Sequence, residues 1–140
     1  MGPSHIRGID HVVVWGVDIA RSLHFCVEVL GCREERRIDP IGLIQLRAGS
    51  SLIDLVDLAG LLGKAGGPAP GRDGRNVDHV AVRLERFDEA ELTAQLLEPG
   101  VELGDVAERY SAYGTGPSMY IRDPDGNTVE LKGPPRSEPA

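Results

Sequence analysis

Asp10-His11-Val12-Val13 and Asp78-His79-Val80-Ala81 decide how this chain is read. The same frame of acid, imidazole and small apolar residues opens two strand-like runs. The two histidines stand 68 positions apart. A late run, Thr128-Val129-Glu130-Leu131, places a carboxylate at an inward-pointing strand position. Two imidazoles and a carboxylate on separate strands point to a divalent-metal site, built from two copies of one small module.

Outward from these runs the two halves repeat one order of elements. In the first, Gly8 to Trp15 alternates as a strand and Asp18 is suited to cap a helix. Ile19, Leu23, Cys26, Val27 and Leu30 recur at helical spacing, and Gly31 supplies the stop. Three strands follow, over Cys32–Ile38, Leu43–Arg47 and Leu52–Leu58, separated by Asp39-Pro40 and Gly49-Ser50 turns. In the second half, Val77–Arg83 is a strand. Phe87, Ala90, Ala94 and Leu97 mark a helix ending at Pro99-Gly100. Val101–Val106, Ser118–Arg122 and Thr128–Lys132 are strands, with an Asp123-Pro124-Asp125-Gly126 turn before the last. The expected fold is therefore α+β: two βαβββ modules in tandem, forming a curved mixed sheet around a metal cavity. The modules span 6–58 and 77–132. A Gly/Pro-rich linker fills 59–76, and a flexible tail runs over 133–140.

Strand side chains alternate between faces. His11 shares a face with Val13 and Trp15; His79 shares one with Ala81 and Arg83; Glu130 shares one with Thr128 and Lys132. The position in the first module matching Glu130 is Asp54, also set between apolar neighbours. The candidate metal ligands are His11, His79 and Glu130, with Asp54 as a fourth whose side chain is one methylene shorter. Imidazole and carboxylate oxygen suit Fe, Mn, Ni or Zn, and such a set leaves positions open for substrate. A structural reading is open beside this one. A strand histidine is commonly a hydrogen-bonded structural residue, and a duplicated sequence inherits it twice.

Composition narrows the partners. The 140 residues carry a formal charge of −7, which argues against nucleic acid or an anionic membrane as the main partner. No apolar run approaches the roughly 20 residues of a membrane span, and no secretory pattern opens the chain. Cys26 and Cys32 form no metal or disulfide framework and read as reduced thiols, so a cytoplasmic protein is expected. Cys26 falls on the buried stripe of the first helix, where a thiol acts as a small hydrophobe.

The two Asp-His frames resemble the vicinal oxygen chelate superfamily of glyoxalases, bleomycin-resistance proteins and extradiol dioxygenases. So do Ser22-Leu23-His24-Phe25 through Gly31 and the stretch Tyr120-Ile121-Arg122-Asp123-Pro124-Asp125-Gly126-Asn127-Thr128-Val129-Glu130-Leu131. The chain looks most like the uncharacterised glyoxalase-domain subgroup. The resemblance implies paired βαβββ modules, a homodimer, and metal positions at His11, His79, Glu130 and Asp54. It implies substrate contact at Tyr120 and a polar position at Ser118, as in fosfomycin-resistance enzymes. Bacterial glyoxalase I carries an arginine where this chain has Trp15, so the glutathione adduct is not the expected substrate. Trp15 instead offers an apolar wall, and Tyr113 and Tyr120 offer hydrogen bonds to a bound oxygen. Glu130 and Tyr120 are the expected catalytic residues; Trp15, Ser118 and Tyr113 are expected to bind substrate. The implied activity is that of a metal-dependent lyase or isomerase acting on a small molecule with vicinal oxygens. An Fe(II) extradiol-type dioxygenase and a non-enzymatic drug-binding protein are the alternatives, and metal identity with oxygen consumption separates them.

Overall fold

The computed structural model describes residues 9–67, 74 and 77–137. The start around His5, most of the Gly/Pro-rich stretch beyond Gly67, and 138–140 lie outside the described residues. The chain divides into two compact units, one ending at Pro70 and the other starting at Gly71.

The first unit holds β1 (His11–Gly16), α1 (Ile19–His24) with a π-helical turn over Phe25–Val29, β2 (Arg33–Ile38), β3 (Leu43–Ala48), β4 (Ser51–Asp57) and α2 (Leu61–Ala65). Asp18 caps α1 by accepting a hydrogen bond from the Arg21 amide, so the cap expected from the sequence forms. The sheet order is β1-β4-β3-β2, with β1 and β4 parallel and the other neighbours antiparallel. Phe25, Cys26, Ile44, Leu46, Ile53 and Leu55 are buried and form its core. On the β2 edge, Arg33 to Arg37 are all exposed, and the strand shifts register between Glu34 and Arg36. The segment expected as a plain linker starts with a helix instead. Residues 61–65 coil because α2 docks against β4, where Gly63 leaves room for the Asp57 and Leu58 backbone.

The second unit repeats the pattern: β5 (His79–Arg83), α3 (Glu89–Leu97), β6 (Leu103–Ser111), β7 (Gly114–Arg122) and β8 (Thr128–Lys132), in the order β5-β8-β7-β6. Asp88 caps α3 through the Glu91 amide. Leu96, Met119, Ile121, Val129 and Leu131 are buried. Both sheets are mixed and open, so the expected α+β class and module order hold, as two four-stranded sheets.

Two local expectations change. Pattern alone ends one strand at Val106 and starts the next at Ser118; between them the chain makes a tight hairpin, with Ser111 facing Gly114 and only Ala112 and Tyr113 at the tip. Gly114, at φ +119°, adopts the left-handed backbone that such a turn needs. The segment after β8 is pinned rather than free over its described part. The Arg136 and Ser137 amides donate to the Thr115 carbonyl. Among the described residues no helix is long and apolar enough to cross a membrane.

Candidate metal centre

Register builds the site. In the parallel β5–β8 pair, His79 lies opposite Thr128 and Ala81 opposite Glu130, so His79 and Glu130 are diagonal neighbours on one face. His79 Nε2 stands 3.1 Å from Glu130 Oε1. On the other side of the ring, Nδ1 lies 2.7 Å from Asp78 Oδ2. The β1–β4 pair has the same register: His11 lies opposite Leu52 and Val13 opposite Asp54. Asp10 Oδ1 again takes the ring Nδ1, at 2.8 Å. The Asp10 hydrogen bond raises the His11 pKa; burial opposes this, and the Asp54 and Asp10 charges add to the rise.

Asp10 and Asp78 are thus the orienting groups of the two imidazoles. A carboxylate on Nδ1 fixes the ring and leaves Nε2 to act. In the sequence these acids stand out only as part of the repeat. The signal was there, since an acid directly before each histidine is a short-range partner.

The two acids facing the imidazoles differ. Glu130 is buried and reaches His79. Asp54 is also buried, but Gln45 Nε2, its cross-strand neighbour, donates to Oδ2 at 3.1 Å. Asp54 Oδ1 has no hydrogen-bond partner among the described residues. A buried carboxylate oxygen without a donor is costly, and a cation would relieve it. The His79–Glu130 separation is also compatible with ligation, since two ligands each ~2.1 Å from one ion at 90–109° stand about 3.0–3.4 Å apart. A hydrogen bond accounts for the same 3.1 Å, as the structural reading of His79 holds. By donor chemistry the residues fit a divalent cation. The donors come as a pair in each unit, and among the described residues no group of three or more His, Cys, Asp or Glu side chains gathers for a metal.

Tyr120 lies opposite Glu130 across β7–β8. Its ring meets the His79 ring edge-on at 5.4 Å, and the Arg109 guanidinium sits 4.4 Å from its centroid. Arg109 ties this face together. It donates to Ser118 Oγ at 2.6 Å and pairs with Asp105 at 2.6 Å. Ser118 is fully buried, and its hydroxyl oxygen accepts from Arg109. Arg109 carried no sequence signal, because it falls on a strand that pattern alone ends at Val106. The Trp15 indole packs against Gly66, where an added Cβ would strike the ring. Tyr113 sits at the hairpin tip, beneath Arg83 at 3.8 Å. Cys26 and Cys32 are buried and form no disulfide, and burial raises the Cys32 thiol pKa.

The fold of two βαβββ modules is shared with known proteins. The chain belongs to the glyoxalase/bleomycin resistance protein/dioxygenase superfamily, whose model it matches over residues 8–131. A virulence protein of Salmonella typhimurium is 27% identical over 132 residues, covering 90% of this chain and 83% of that protein. An integron cassette protein from the V. cholerae mobile metagenome superposes with a TM-score of 0.69 at 25% identity, covering 93% of this chain and 97% of its own. The fosfomycin resistance protein FosX of Listeria monocytogenes shares the fold, with a TM-score of 0.66 at 18% identity over 91% and 90% of the two chains. That FosX structure, of a mutant, contains Mn(II) and 1S,2S-dihydroxypropylphosphonic acid.

Proposed function

We propose that this protein is a glyoxalase-like lyase or isomerase that uses a divalent cation, Fe, Mn, Ni or Zn, to act on a small substrate with vicinal oxygens. The ligands in this reading are His11, His79 and Glu130, with Asp54 as the fourth. One observation carries it: each module sets an Asp-anchored imidazole beside a buried carboxylate at the same register, and one of those carboxylates keeps an oxygen without a donor. A bound cation would supply Lewis acidity toward two adjacent substrate oxygens.

The chain's own groups do the rest. Asp10 and Asp78 keep each Nδ1 engaged, so Nε2 is the atom presented. Glu130 Oε is the proton acceptor, close to His79 and shielded from bulk water. Tyr120, between His79 and Arg109, donates its hydroxyl to a substrate oxygen. Trp15 gives apolar surface to the substrate, and Ser118 acts through Arg109. The Gly/Pro-rich connection allows modules to pair between chains, and a homodimer is the expected assembly; sedimentation showing monomer alone at micromolar concentration would exclude it.

Metal titration of chelator-treated protein tests the reading. One divalent ion should bind per chain, and His79→Ala should weaken binding by more than the ~100-fold that loss of an outer-shell partner can cause. Circular dichroism of the variant should match wild type. Absence of any stoichiometric ion, or an unchanged affinity in His79→Ala, rejects the proposed ligand set. Oxygen uptake by the Fe(II)-loaded protein would move the activity to the dioxygenase class.

A further inference from the structure

The second unit holds a cavity of about 220 Å³, lined by Arg83, Glu85, Ser111, Tyr113, Lys132 and Pro134 among others. We propose that this cavity binds an organic monocarboxylate with a flat or apolar body, at a site separate from the His79–Glu130 pair. Arg83 lies four residues beyond His79 on β5, about 13 Å along the strand at ~3.3 Å per residue.

Two cations, Arg83 and Lys132, line the cavity against one acid, Glu85. Lys132 is 3% exposed, and its Nζ donates to the Arg109 carbonyl and, at 2.7 Å, to the Gly116 carbonyl. Among the described residues no carboxylate pairs with it or with Arg83. An ammonium held only by carbonyls in a buried place is costly, and an anion beside it would offset that cost. Arg83 lays its face on the Tyr113 ring at 3.8 Å. Stacking uses the face of the guanidinium and leaves its in-plane N–H fork for a carboxylate.

The duplicated fold supplies an internal control. Arg83 pairs in register with Lys132, as Trp15 pairs with Val56 in the first unit. The same fold positions are therefore filled by apolar side chains in one module and by two cations in the other. The fold does not demand the charges.

Glu85 on the same lining limits what enters. Its carboxylate repels a second negative charge, so a monoanion is preferred to phosphate or phosphonate. Tyr113, Pro134 and Pro135 offer apolar surface for the body of the ligand. The volume is below the ~300 Å³ at which drug-sized pockets begin, so the occupant is small.

The test is an amide and arginine side-chain NMR titration of the full chain with benzoate, benzamide and inorganic phosphate, after chelator treatment so that failure of the cation reading leaves the result intact. Benzoate should shift the Arg83 Nε signal and the Ser111–Gly114 amides saturably. Benzamide and phosphate should bind more weakly, and Glu85→Gln should strengthen phosphate. Arg83→Gln, an exposed change, should weaken benzoate by roughly 10- to 100-fold. Lys132→Met should do likewise; if that buried variant fails to fold, Arg83→Gln decides alone. No saturable shift up to about 10 mM benzoate, phosphate binding as tightly as benzoate in the wild type, or benzoate affinity unaltered in Arg83→Gln would overturn the proposal.

Discussion

The two modules share a register but use it differently. In the second, the acid opposite Ala81 is Glu130, and it spans the gap to His79 at 3.1 Å. In the first, the acid opposite Val13 is Asp54, which is drawn across the sheet to Gln45 instead. Gln45 and Tyr120 occupy the matching cross-strand places, so one module holds its acid back and the other leaves it free to reach the ring. One methylene and one neighbour separate a preassembled imidazole–carboxylate pair from an acid with an unused oxygen.

If that contrast is correct, Glu130→Gln should produce the largest effect, reducing Mn(II) affinity by ~100-fold or more, with Asp54→Asn reducing it by about 10-fold. Isothermal titration of both variants checks the order; equal losses would erase the distinction between the modules. Without metal the ranking should reverse for stability. Asp54→Asn removes a buried charge with a donorless oxygen, so its urea midpoint should equal or exceed that of wild type. A marked drop in the midpoint would mean that Asp54 serves the fold.

A smaller effect belongs to the orienting acids. Asp78→Asn should cost about 10-fold in metal affinity, and Asp10→Asn a similar amount, since each fixes one imidazole. Here the modules should behave alike, and a difference between the two variants would show that one ring is held by other means.

The repeated frame, the capping role of Asp18 and the final strand with Glu130 were all legible in the sequence, because each is a local pattern with a fixed period or spacing. Asp54 was legible as a position but not as a state. Its hold by Gln45 depends on antiparallel register between β3 and β4, which no local pattern encodes. The extent of β6 was missed for a related reason. Gly104 and the register shift between Leu103 and Val106 break the alternation, and the strand then runs on to Ser111 by pairing with β7. The helix over Leu61–Ala65 was hidden because its glycines read as breakers, whereas Gly63 and Gly66 are there for close approach to β4 and Trp15.

That close approach predicts a stability effect confined to the first module. Gly66→Ala drives a methyl into the Trp15 indole and should cost about 1–3 kcal/mol, read as a lower urea midpoint with quenched or shifted tryptophan emission. Arg83, in the matching place, stacks on Tyr113 at an exposed tip, and Arg83→Gln should leave the midpoint nearly unmoved.

The smallest expected effect concerns the turns before the last strands. Gly49-Ser50 links β3 to β4 with two residues, whereas β7 and β8 are joined by a longer turn organised by Asp123, which accepts from the Asp125 and Asn127 amides and from the Asn127 side chain. Burial raises the Asp123 pKa despite those bonds. The native state then holds the proton to higher pH than the unfolded chain does. Stability from this group is fullest below its ordinary carboxyl value and falls as pH rises through the raised one. The wild-type denaturant midpoint, measured against that of Asp123→Asn, should therefore rise on acidification across that range. A wild-type midpoint that falls relative to the variant would reverse the sign.

The charged edge at β2 bears on how an open sheet avoids self-association. An open sheet offers a row of unpaired amides and carbonyls to any passing strand. Here that border is written Arg33-Glu34-Glu35-Arg36-Arg37, every residue exposed and the register broken within the run. Arg37 and Glu34 pair along it, and Glu35 reaches Arg47 on β3. A foreign strand adding there would have to bury these charges and match an irregular border. The edge thus guards against fibre growth, and a more regular, apolar β2 would trade that protection for aggregation.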